Sequence, residues 1–178
     1  MRQRAITHSP DASADDLAAL KCELAGDVLR SFGELRFTAT GWSMLPAIFP
    51  GDTLVVERVH PNNVVVGDVV LVGRGGRLCA HRLVSTVVDA ECPKWITRGD
   101  GMPGPDRPVV ANELLGRVAY LIRAGKLITV PTKLGVVEKL VAKVVQRSEP
   151  AARALVYLQQ KVHTPETVPP RRDQPCQD

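Results

Sequence analysis

The chain has 178 residues and a mass of 19.3 kDa, room for one domain with flanking segments. Apolar residues make up 44% and charged residues 24%, which excludes a collagen, a wholly disordered chain and a dense disulfide scaffold. The formal net charge of +4 is too small by itself to argue for nucleic acid, but residues 116–161 hold nine Lys or Arg against two acids, so that segment is +7 and the rest −3.

In chain order, residues 1–12 read as disordered, and no apolar stretch follows their basic residues, so no secretory leader is expected. Ser13, with Asp16 three positions on, resembles a capping box ahead of Leu17, Leu20, Leu24 and Val28. That spacing predicts a helix over about 13–31, ended near Gly33 and packed through its Leu stripe. The period then changes. Leu35, Phe37 and Ala39 alternate with Arg36, Thr38 and Thr40, as in a half-buried strand. Further strands are predicted at 53–59, 68–72, 78–88, 94–97 and 114–122, with 126–130 as one more. Turns at Pro50-Gly51-Asp52, Pro61-Asn62-Asn63, Gly73–Gly76 and Gly99–Pro108 divide them. Short strands at this spacing, without alternating helices, imply a mainly β domain over 34–130 built on a coiled antiparallel sheet.

After Pro131 the period is helical again. Leu134, Val137, Leu140, Val141, Val144 and Val145 form one stripe, with Lys133, Lys139, Lys143 and Arg147 largely off it, and Pro150 starts a second helix to about Lys161. The basic amphipathic segment 131–162 suits either a solvated face or peripheral contact with an anionic membrane through 133–161. The Pro-rich tail 163–178 reads as disordered. No run of about 18 apolar residues predicts a spanning helix. Cys22, Cys79, Cys92 and Cys176 make no CxxC pair and read as free thiols, so a cytoplasmic protein, peripheral at the membrane if the basic segment binds there, is expected.

Three segments carry chemistry. Ser43, in Gly41-Trp42-Ser43-Met44-Leu45-Pro46, leaves a strand on a proline-stiffened loop, where a hydroxyl can be held exposed but needs a base to become a nucleophile. His81, in Cys79-Ala80-His81-Arg82, is that base; Cys79 shares its strand face but lies about 6–7 Å away, which disfavours a thiol enzyme. Asp100 and Asp106 stand in the Gly/Pro-rich loop after Thr97-Arg98-Gly99, and either could accept from His81 and fix its tautomer. Taken singly, Ser43 is an ordinary turn serine, His81 a structural histidine and the aspartates turn caps. His8, His60 and His163 lie at the chain ends or beside a turn.

Together and in this order, Gly41–Pro46, Pro50–Asp52, Gly67–Val70, His81–Val84 and Thr97–Asp106 resemble the signal peptidase I clan, which includes the LexA-type self-cleaving repressors. The resemblance spans about 37–120. A histidine where most bacterial members carry lysine is similar to the archaeal, endoplasmic-reticulum and sporulation-type branch. It implies the signal peptidase/LexA sheet fold with Ser43 as nucleophile, His81 as base, Asp106 as its partner, Asp100 supporting the site and an oxyanion donor at the Ser43 N–H. The expected function is serine endopeptidase cleavage of a peptide or precursor protein, without metal or cofactor. The alternatives are a catalytically idle interaction module on the same fold and a LexA-like regulatory peptidase. The segment before the first strand is acidic and too short to read DNA, and no nucleic-acid partner is expected.

Overall fold

The computed structural model describes residues 10–88 and 92–162. Helix α1 (Pro10–Phe32) is followed by strands β1 (Glu34–Thr38), β2 (Thr53–Glu57), β3 (Val69–Arg74), β4 (Arg77–Val88), β5 (Pro93–Arg98), β6 (Leu114–Arg123) and β7 (Lys126–Ile128), then by helices α2 (Val136–Arg147) and α3 (Glu149–Val162). All strand pairs are antiparallel, in one open sheet of order β1-β2-β6-β3-β4-β5, with β7 on β6. The disorder expected for 1–9 and 163–178 falls outside the described residues. Residues 10–12, read from sequence as disordered, are the first residues of α1.

The sheet is buried on both faces. In β3, Val69 and Leu71 enter one core with Leu54, Val56, Val118 and Leu121, while Val70 and Val72 enter a second with Leu83, Trp95 and Leu114. Alternation along one strand therefore feeds two cores, which explains the unbroken Val69-Val70-Leu71-Val72 run.

Helix α1 lies against β1, β4 and β6. Its Leu stripe does not make that contact: Leu17, Leu20 and Leu24 are more than half exposed, whereas Ala25 and Leu29 are buried. The reason is steric. The β3–β4 turn comes so close that a Cβ on Gly76 would stand 2.9 Å from the Ala18 Cβ. Only the small-residue face carrying Ala18, Cys22 and Ala25 fits there, and the Leu stripe falls roughly a third of a turn away around the helix. The helix closes where the Gly33 N–H, at φ 75°, donates to the Leu29 carbonyl.

The two kinds of leucine on α1 should separate in urea unfolding. Leu29→Ala should cost about 2–5 kcal/mol. Leu20→Ser should change stability by no more than about 0.5 kcal/mol. Equal costs would place the stripe in the core.

Candidate active site

Ser43 sits between β1 and β2 in a loop gripped from both sides. Met44 and Ile48 enter the core beneath the sheet, while Leu45 and Phe49 pack with Ala152 of α3. Asp52 closes the loop. Its carboxylate, 3% exposed, accepts from the Phe49 N–H at 2.7 Å and from Arg123 at 2.8 and 2.6 Å. Arg123 also covers the Phe49 ring, 4.6 Å from its centroid, and donates to the Ala47 carbonyl.

His81 comes from β4, where it pairs with Val70. Its Nε2 is 2.9 Å from Ser43 Oγ, and its Nδ1 is 2.6 Å from an Asp106 oxygen. Asp106 arrives because the chain doubles back after β5. Its N–H donates to the Thr97 carbonyl at 2.8 Å, and Trp95 and Val109 bridge just beyond. Thr97 Oγ1 donates to the same Asp106 oxygen at 2.7 Å, so the carboxylate is aimed by a hydroxyl on a rigid strand. Arg74 holds the next segment, donating to the carbonyls of Arg107 and Pro108 and to Glu113, whose carboxyl this cation holds below its usual range.

Asp100 does not reach His81. Both its oxygens are taken by the Arg82 guanidinium, at 2.8 and 2.7 Å, and the pair is buried. Arg82 also donates to the carbonyls of Gly67 and Pro131. Asp100 is thus a positioning residue whose neighbours touch the Ser43 loop. The Gly101 N–H donates to the Ser43 carbonyl at 2.8 Å, and a Cβ on Gly99 would stand 2.5 Å from that same oxygen. Only glycine fits so close an approach. Of the four residues expected at the site, Ser43, His81 and Asp106 meet in one hydrogen-bonded line, and Asp100 stands behind them.

Ser43 and His81 open on a cleft of about 410 Å³. One wall is the end of β1 and the loop residues just beyond it (Phe37, Ala39, Gly41). The other is the first half of β4 (Leu78, Ala80), with Met44 and Ile48 on the floor and Lys21 of α1 at the rim. β5 pairs with β4 only from Arg82 onward, so the edge of Arg77–His81 that faces away from β3 has no strand partner among the described residues. β1 is likewise an edge strand. The Ser43 N–H has no acceptor among the described residues. Cys79 lies on the cleft wall, and burial together with the nearby Asp106 charge pushes its thiol up, away from the thiolate.

Sequence reasoning gave no role to Thr97 and none to Gly99 as the site of closest approach. Thr97 was legible only as a β-branched strand residue, and Gly99 only as part of a turn. No family model and no curated protein matches the chain.

The two aspartates should part in stability measurements. Asp100→Ala leaves the Arg82 cation buried and unpaired, and should cost about 3–5 kcal/mol in denaturant unfolding. Asp106, one third exposed, should cost no more than about 1.5 kcal/mol on replacement by Ala.

Proposed function

We propose that the chain is a serine endopeptidase of the signal peptidase I/LexA clan, of its Ser-His type, acting on a peptide or precursor protein. The observation that carries this reading is the Asp106–His81–Ser43 line, with links of 2.6 and 2.9 Å, beside a cleft walled by two strand edges that have no partner among the described residues.

Asp106 accepts from the His81 Nδ1–H, which leaves Nε2 as the proton acceptor toward Ser43. As Oγ attacks the scissile carbonyl carbon, its proton passes to Nε2 and the carbonyl π electrons move to oxygen. The unoccupied Ser43 N–H is placed to donate to that oxyanion, an interaction worth about 3 kcal/mol in such sites. Collapse of the tetrahedral intermediate breaks the C–N bond; the amine takes the proton from Nε2 and leaves an acyl ester on Ser43. Water, deprotonated by His81, then attacks the ester, and the proton returns to Oγ as the acid departs. Extended substrate would add as a strand between the end of β1 and the open edge of β4. Ala39, Gly41 and Ala80 make that cleft shallow, which suits small side chains near the bond.

Ser43→Ala should abolish both peptide cleavage and labelling by a fluorophosphonate probe. Asp106→Asn should lower kcat by roughly three to four orders of magnitude by spoiling the tautomer, with little loss of fold. Cys79→Ala should retain activity. Mass spectrometry of a candidate peptide pool reads all three, and cleavage that survives Ser43→Ala but fails in Cys79→Ala would reverse the assignment.

A further inference from the structure

Helix α2 presents an apolar row to solvent. Val136, Val137, Leu140 and Val144 are 85%, 73%, 65% and 50% exposed. The opposite side is engaged: Ala142 is buried, and Gln146 donates to the carbonyls of Asp100 and Met102. Helical spacing puts Lys139 and Lys143 on the flank between these two sides. That flank roofs a pocket of about 510 Å³ lined, besides the paired Arg82, by the cations Lys133, Lys139, Lys143 and Arg98, none with an ion-pair partner among the described residues. The pocket's acid, Asp100, is already committed to Arg82. On α2 itself, Glu138 is turned back onto the Gly135 N–H at 2.6 Å.

We propose that this face of α2 docks on an anionic phospholipid bilayer, the apolar row entering the acyl boundary while Lys133, Lys139, Lys143 and Arg98 seat phosphate headgroups. A bilayer of that kind offers both an apolar layer and a dense sheet of negative charge, in the order in which α2 displays their complements. A second copy of the chain fits poorly. Residues 133–161 carry six basic side chains and two acids, so a two-fold contact would bring +4 against +4. The opposite side of α2 holds the loop after β5 through the Gln146 contacts, and that loop in turn holds the Ser43 carbonyl through the Gly101 N–H.

Vesicle flotation of the full chain tests the proposal independently of catalysis, and Ser43→Ala should float like the wild type. Phosphatidylcholine vesicles containing phosphatidylglycerol should carry the protein at low salt, and phosphatidylcholine alone should carry at least tenfold less. Raising salt toward 1 M, where the Debye length shrinks to about 3 Å, should weaken binding. The triple variant Lys133→Gln/Lys139→Gln/Lys143→Gln should bind about a hundredfold more weakly. Leu140→Glu/Val144→Glu changes only exposed positions and should lose flotation while keeping the wild-type circular dichroism spectrum. Absence of flotation at low salt, wild-type binding by both variants, or a dimer that dissolves in Leu140→Glu/Val144→Glu without any vesicle binding would each overturn the proposal.

Discussion

A strand that presents His81 to a cleft must turn its next side chain the other way, and here that side chain is a cation. Arg82 is 7% exposed, and a buried guanidinium is costly unless charge and hydrogen bonds surround it. Asp100 supplies the charge; the carbonyls of Gly67 and Pro131 supply further acceptors. Satisfying one cation therefore ties β4 to the turn before β3, to the segment after β7 and to the loop after β5. From Asp100 the constraint passes through the adjoining Gly101 N–H to the Ser43 carbonyl. The demand that buries Arg82 correctly also sets Ser43 opposite His81, so these two side chains are positioned by one ion pair on the far face of the strand.

The Ser43 loop shows how such a position is kept without regular structure. Alternate pairs of its side chains go to different cores, Met44 and Ile48 to one, Leu45 and Phe49 to the other. Each large apolar side chain so buried contributes on the order of 1.5–3 kcal/mol as an upper estimate. The loop cannot shift toward one core without leaving the other, and the buried Asp52–Arg123 pair fixes its far end. Rigidity of this kind is what the proposed catalysis would require of a serine 2.9 Å from His81, because a displacement of about 1 Å can cost a hundredfold in rate.

Much of the sheet was legible because period-two alternation and turn chemistry are local. The strand expected at 78–88 is observed at Arg77–Val88, and the one expected at 114–122 at Leu114–Arg123. The docking face of α1 was not legible. Its apolar stripe is a property of the helix, but the face that packs is chosen by the room the β3–β4 turn leaves. The choice between Asp100 and Asp106 was equally closed to spacing arguments, since both stand in one flexible-looking loop. What separates them is that the loop doubles back along β5 to Thr97, a tertiary event. The start of α1 at Pro10 rather than at Ser13 reflects a smaller matter, the tolerance of a first helical turn for proline.

The C-terminal helices belong to the same mechanical unit as the site. Ala152 of α3 packs beneath Leu45 and Phe49, and Gln146 of α2 holds two carbonyls of the loop that follows β5. The Pro131 carbonyl, at the start of the same segment, is one of the acceptors on which Arg82 depends. Without residues 131–162, Leu45 and Phe49 would lose the cover of Ala152 and Arg82 would be one acceptor short. The sequence boundary at Pro131 marks a change of period, from two to 3.6, and not a boundary of cooperativity. In this chain the basic helices are the back wall of the Ser43 loop: Ala152 of α3 meets it directly, and Gln146 of α2 reaches it by way of the loop after β5.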